Sequence, residues 1–210
     1  MTRRRLAAEM AACCRRLAQT GLIAGRDGNI SARAGADRIL VTPTGVLKYR
    51  LAAGDMVEVD WTGGRRRGHR NPTSELDLHL RILRRRSDVG AVVHAHPPAA
   101  TAFALAGEEL ASFALPELIF LVGPVPLVPF GMPGTPELAD CIEPFLEGHA
   151  ALLLANHGAV TLGRTLEEAW VRMETLEHAA RILLGARQLG RVTELNPDAV
   201  AQLEALRARS

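Results

Sequence analysis

Residues 91–98 read AVVHAHPP, and no other stretch restricts the fold as tightly. Ala91, Val92 and Val93 begin a β-branched, apolar run of the kind that makes a strand, and the paired prolines forbid its continuation. Proline is tolerated in the first turn of a helix, so Pro97 and Pro98 open a helix running to about Leu105. Side chains alternate along a strand, so His94 and His96 point the same way, their Cα atoms about 6–7 Å apart. Two imidazoles on one face can converge on a single ion. They can equally be two solvated polar residues at a strand end.

The rest of the chain supplies the layers around that strand. Residues 3–20 carry Leu6, Met10, Ala11, Cys13, Cys14 and Leu17 at helical spacing, with Gly21 as the stop. GRDGNISAR (25–33) reads as a turn-rich segment, RILVTPTG (38–45) as a short strand entering a Pro/Gly turn, and DMVEVDW (55–61) as an alternating strand. A basic loop covers 62–72. Thr73 or Ser74 caps a helix to about Arg86 that buries Leu76, Leu80 and Leu83. The stretch 111–134, rich in Pro, Gly and apolar residues, holds a short strand near VPLVPF, and TPELADCIEPFLEG gives a short helix. ALLLANHGAVTLG (151–163) reads as two strands with a turn at Asn156 and Gly158. Thr165 caps a long helix to about Leu189, with Leu166, Ala169, Trp170, Met173, Leu176, Ala180 and Leu183 as its spine. Strands and helices mix without βαβ rhythm, which predicts an α/β layered domain whose sheet contains antiparallel pairs. Residues 1–192 form that domain, and 193–210 a polar tail with a final helix.

Composition narrows the function classes. Of 210 residues, 48% are apolar and 23% charged, enough for a substantial core. The net charge of +2, with two Trp, one Tyr and five Phe, gives the basic runs at 3–5, 65–70 and 84–86 few aromatic partners for stacking on bases. They read as solvated faces and loops, and no nucleic-acid partner is expected. No run of 18 apolar residues predicts a membrane span. Cys13, Cys14 and Cys141 are an odd set without CxxC spacing, which fits a reducing compartment and a cytoplasmic protein.

His157, after the apolar run LLLAN, is a third histidine at a strand end. Three such residues leave a tetrahedral zinc ion one open position, the arrangement of catalytic sites. The spacing alone leaves metal binding open. It does not suit a metallo-β-lactamase-like pattern, which wants Asp and His just downstream where Pro97 and Pro98 stand, nor an amidohydrolase, whose HxH lies early in a longer barrel chain. Other segments favour an anion nearby. Gly28 lets a ligand approach the backbone, Asn29 and Ser31 are short polar donors, TPTG at 42–45 is a second small-residue turn, and Thr73–Ser74 begins a helix whose free N–H groups attract phosphate. Taken singly, each also reads as an ordinary turn or cap. Glu75 suits the helix macrodipole, and beside a metal it would also suit proton transfer.

In order, GNIS (28–31), TPTG (42–45), TSE (73–75), HAH (94–96), PGTPELA (133–139) and NHG (156–158) before a long helix resemble the class II aldolase/adducin family over about residues 5–190. That family includes L-fuculose-1-phosphate aldolase and L-ribulose-5-phosphate 4-epimerase. The resemblance implies a three-layer α/β/α fold with a central, mainly antiparallel sheet, and a homotetramer with sites near subunit interfaces. It implies His94, His96 and His157 as ligands of one Zn2+ per subunit. Glu75 would be the catalytic carboxylate, an additional ligand when substrate is absent. Asn29, Thr44, Gly45, Thr73 and Ser74 would contact the substrate phosphate, with Gly28 and Ser31 shaping that loop. The implied activity is a zinc-dependent lyase of carbohydrate metabolism, an aldehyde-lyase cleaving a small phosphorylated sugar or keto acid through a zinc-stabilised enediolate.

The match thins at the acid. Where fuculose-phosphate aldolases carry a tyrosine four residues after a proline, PELIF places Phe120, and the tail has no tyrosine; the only one in the chain is Tyr49. Glu117 is a substitute acid or an ordinary surface carboxylate. The shared core would also serve a decarboxylase or dehydratase, and the fold without the chemistry would be an adducin-like interaction module. His69, His79, His149 and His178 receive no role.

Overall fold

The computed structural model describes residues 2–110 and 113–209; positions 111 and 112 of the Pro/Gly-rich stretch lie outside them. Eight strands form one sheet: β1 (Asn29–Arg33), β2 (Ile39–Val41), β3 (Val57–Val59), β4 (Arg65–Arg67), β5 (Ala91–Ala95), β6 (Leu127–Val128), β7 (Ala151–Leu154) and β8 (Gly158–Gly163). Their order is β4-β3-β2-β1-β5-β8-β7-β6, antiparallel at every step except the β6–β7 pair at one edge. Six helices flank it: α1 (Arg3–Gln19), α2 (Leu76–Arg85), α3 (Pro98–Leu105), α4 (Pro136–Ile142), α5 (Leu166–Gln188) and α6 (Pro197–Arg207).

The alternation of strand side chains divides the core in two. Ile30, Ala32, Ala91, Val93 and Ala95 pack with α1, α3 and α5 on one face. Ile39, Val41, Val92, Val160 and Leu162 pack with the apolar sides of α2 and α4 on the other. The result is the expected three-layer α/β/α arrangement. No helix of the described residues is long and apolar enough to cross a membrane.

Two strands depart from the sequence reading. Residues 29–33, read as part of a turn-rich segment, form β1, next to β5. Both faces of this inner strand are covered, so Asn29 and Ser31 are buried although NISAR alternates polar and apolar residues. Arg65–Arg67 of the basic loop form the edge strand β4, exposed throughout, where charge discourages pairing with another chain. The α5 spine is buried as expected except Trp170, which is half-buried. Glu177, also on α5, is buried and accepts N–H bonds from Ala99 (2.9 Å) and Ala100 (3.0 Å), tying down the first turn of α3 just after His96. The final helix α6 packs against a π-helical turn, Leu118–Val122.

Candidate active site

Four segments meet at one end of the central strands. His94 lies in β5, side chain toward the α2 layer, and His96 follows one residue beyond the strand. In the register, Asn29 of β1 sits directly opposite His94, whose other neighbour is Val160 of β8. His157 occupies the tight turn between β7 and β8, after Asn156, the only non-glycine among the described residues with positive φ (58°). Gly158 makes the approach possible: a Cβ there would stand 2.6 Å from the Ala95 carbonyl oxygen and 2.7 Å from His96 Cδ2. Glu75, not Thr73 or Ser74, occupies the N-cap position of α2, which begins at Leu76, and its side chain makes no capping hydrogen bond there. Thr73 instead accepts the Glu75 N–H at 3.3 Å.

The three imidazoles converge. Their ring centroids lie 4.7–5.1 Å apart, and one nitrogen from each falls within 4.8 Å of the others. His94 donates its Nδ1–H to the Ala159 carbonyl at 3.0 Å, which leaves Nε2 with a bare lone pair. That Nε2 lies 3.3 Å from His96 Nε2 and 3.3 Å from Glu75 Oε2, while His157 Nε2 lies 3.5 Å from Glu75 Oε1. Glu75 Oε1 and His157 Nδ1 are buried without a hydrogen-bond partner. Lone pairs facing one another across a carboxylate suit a divalent cation, and this donor set fits one. Burial pushes His94 down to about 3, against the pull of Glu75, and lowers His157 too, so both imidazoles are neutral. For Glu75, burial acts to raise the carboxyl. The N–H that Asn29 donates to Oε2 opposes it, and the carboxyl lies below its ordinary value and stays ionised.

The small-residue turns gather beside this cluster. The 42–45 turn and the 71–74 segment are joined by a bridge between Pro43 and Pro72 and by bonds from Thr44 N–H to Asn71 O and Thr73 N–H to Thr42 O. Thr44, Gly45 and Ser74 are exposed on this surface, Thr73 is buried, and Gly134 of a further loop lies against Ser74. Gly28 is buried at φ +69°, where a Cβ would meet Ile23 Cγ2 at 2.7 Å and the His94 carbonyl at 2.8 Å. The Asn29 side chain is committed inward: its Nδ2–H donates to Glu75 Oε2 at 2.7 Å, and its Oδ1 bonds His79 Nε2. Ser31 likewise turns to His79, Oγ to Nδ1 at 2.7 Å. His79 is a site residue the sequence reading missed. Its signal was its spacing from Glu75, one helical turn on the same face.

Two positions stay outside the cluster. Phe120 lines a cavity with Leu121, Arg164, Glu168 and Arg172, beyond the end of β8 remote from His157. Glu117 is exposed at the start of the π-helical turn.

A mainly antiparallel α/β/α domain that gathers three imidazoles and a buried carboxylate at one end of its sheet defines an aldolase-type class. Residues 8–184 match the model of the Class II Aldolase and Adducin N-terminal domain, and the chain belongs to that family. An L-fuculose phosphate aldolase of Methanococcus maripaludis is 35% identical over 169 residues, 80% of this chain and 91% of its own length. A 5-deoxy-D-ribulose 1-phosphate aldolase of Bacillus thuringiensis is 33% identical over 197 residues, 93% of this chain and 92% of its own. A solved structure of an L-fuculose 1-phosphate aldolase superimposes with a TM-score of 0.89 at 29% identity, covering 95% of this chain and 94% of that one.

Proposed function

We propose that this chain is a zinc-dependent aldolase that cleaves a small ketose 1-phosphate, acting as a cytoplasmic homotetramer. The observation that carries the reading is the convergence of His94, His96 and His157 on one point beside Glu75, with the His94 tautomer set by Ala159. Both relatives described above carry names of sugar-phosphate aldolases, one of them specifying a 1-phosphate. A zinc ion held by the three imidazoles would supply a Lewis acid for the substrate's carbonyl and neighbouring hydroxyl oxygens.

The chain's own groups do the rest. Thr44, Gly45, Thr73 and Ser74, with the loop that Gly28 shapes, seat the phosphate at the start of α2, where free N–H groups and the helix dipole favour an anion. Glu75 is ionised and leaves Oε1 without a hydrogen bond, so that oxygen takes and returns the proton at the carbon or oxygen next to the carbonyl. In retro-aldol cleavage of a ketose 1-phosphate the C4 hydroxyl gives up its proton, and the C3–C4 bond breaks with its electron pair left at C3. Glu75 delivers a proton to C3, so dihydroxyacetone phosphate and an aldehyde form with no net proton change.

One observation favours a second reading. Phe120 stands where the family's tyrosine acid is expected and has no hydroxyl. Decarboxylation of a 3-oxo acid phosphate, which has no hydroxyl to deprotonate on the departing fragment, would not miss it. The test is turnover by zinc-loaded protein of L-fuculose 1-phosphate, 5-deoxyribulose 1-phosphate and a 3-oxo acid phosphate, following aldehyde and CO2 separately. Aldehyde release abolished by His94→Ala supports the aldolase, and CO2 release alone selects the decarboxylase. A metal-free, inert protein would leave a non-catalytic domain. Size-exclusion with light scattering tests the tetramer.

A further inference from the structure

His79 is fully buried on α2, whose inward-facing neighbours Leu80, Ile82 and Leu83 are apolar. An imidazole in such a place costs free energy unless both nitrogens are satisfied, and a leucine would fill the space at less cost. Both nitrogens are used, and their polarity follows from one fixed point. The ionised Glu75 carboxylate can only accept, so the Asn29 group donating to its Oε2 is the amide Nδ2–H. Asn29 Oδ1 then faces His79 Nε2, and as an acceptor it requires the proton to be on that nitrogen. His79 Nδ1 is left to accept, and the Ser31 hydroxyl donates to it. Ser31, His79, Asn29 and Glu75 are all buried, at 0%, 0%, 6% and 8% exposure, so water does not compete along the chain of bonds.

The consequence lies at the carboxylate. Oε2 holds a strong hydrogen bond and Oε1 holds none, so the two oxygens differ in basicity. We propose that His79 is a positioning residue which, by fixing the Asn29 amide, dedicates Glu75 Oε2 to the protein and leaves Oε1 as the oxygen that carries the proton. The inference rests on the aldolase reading, because it needs a reaction in which Glu75 moves that proton. It also gives the Asn29 side chain a task distinct from phosphate contact.

The test compares zinc-loaded parent protein with His79→Phe, which keeps a ring but no donor, and His79→Gln, whose amide N–H can reach the Asn29 oxygen. For His79→Phe, kcat should fall about 10- to 100-fold, the usual cost of losing an orienting outer partner, with KM within about threefold and one zinc per chain retained. His79→Gln should recover most of that loss. Ser31→Ala serves if His79→Phe does not fold, with the same split at a smaller loss of several-fold. In the parent, imidazole nitrogen NMR should show His79 as the Nε2–H tautomer. A folded His79→Phe enzyme within threefold of the parent kcat, a His79→Gln variant no better than His79→Phe, or an Nδ1–H tautomer overturns the inference. A parent inert on every aldol substrate overturns the aldolase reading instead, and the inference with it.

Discussion

Acidifying the metal-free protein from pH 7 to pH 5 should cost about 4 kcal/mol of stability, through two histidines alone. His94 and His79 are fully buried, and burial pushes them down to about 3 and about 4 from an ordinary 6.5. As pH falls below 6.5, the unfolded chain takes up these protons while the folded chain keeps both rings neutral. Each ring therefore costs about 1.4 kcal/mol per pH unit until its folded value is reached. His157 is lowered as well and adds in the same direction. Glu75, held below its ordinary 4.5, contributes only in more acidic solution. For a chain of this length about 4 kcal/mol corresponds to a fall in Tm of about 8–16 °C. Calorimetry of chelator-treated protein at pH 7, 6 and 5, at constant ionic strength, measures it. His79→Gln removes one of the two rings and should roughly halve the fall. Zinc-loaded protein should start from a higher Tm and lose more across the window, since protons then also compete with the ion for the imidazoles. A fall below about 3 °C in the parent, or an unchanged fall in His79→Gln, would refute the reasoning.

Replacing Glu75 by Gln should preserve the fold and bound zinc while lowering kcat about 10²- to 10⁴-fold, the range for loss of a proton-transfer group; turnover within a few-fold of the parent would end that assignment. Ser74→Ala should raise KM for phosphorylated substrates more than for their unphosphorylated counterparts, and equal effects on both would remove Ser74 from the phosphate site. Gly158→Ala would drive a methyl group to within 2.7 Å of both the Ala95 carbonyl and His96 Cδ2. It should weaken zinc binding at least about tenfold, the scale on which disturbed ligand orientation acts. Titration against a competing chelator reads this, and unchanged affinity would show that His96 is not held by that contact.

The elements legible in the sequence were those whose pattern is set by one covered face. The α5 spine, apart from the half-buried Trp170, and Leu80 and Leu83 of α2 follow helical periodicity because the opposite sides of both helices face water, whereas Leu76 is only half-buried. Strand β1 was hidden because its alternation spans only five residues and directly follows the turn residues Gly25, Asp27 and Gly28. NISAR does alternate polar and apolar residues, but Asn29 and Ser31 meet Glu75 and His79 rather than solvent. For His79 the spacing from Glu75 was the one local signal, and its role was not legible because its partners Ser31 and Asn29 lie 48 and 50 residues away. The histidine triad was legible as residue types at strand ends, but its closure depends on contacts between segments distant in sequence. One of these is the space left by Gly158, and another is the pairing of His94 with Asn29. Residues 65–67 carry no apolar pattern at all, and only the neighbouring β3 makes them a strand.

Register therefore accounts for the accuracy of the site. Side chains alternate along β5, so a slip of one residue would turn His94 into the layer of α1, α3 and α5 and bring Val93 or Ala95 to the α2 side. What prevents the slip is apolar and lies beyond the site itself. Val92 and Val93 are fully buried in opposite layers, beside Leu162 and Thr161 of β8 and Ser31 and Ile30 of β1. Exchanging their faces would leave the packing of two cores mismatched. The polar groups at the strand ends then inherit their positions: Asn29 opposite His94, Ala159 O against His94 Nδ1, and His157 in the turn before Gly158. Burial of valine and leucine along the strands thus fixes where a carboxylate and three imidazoles meet, and the relay through His79 fixes how that carboxylate is turned.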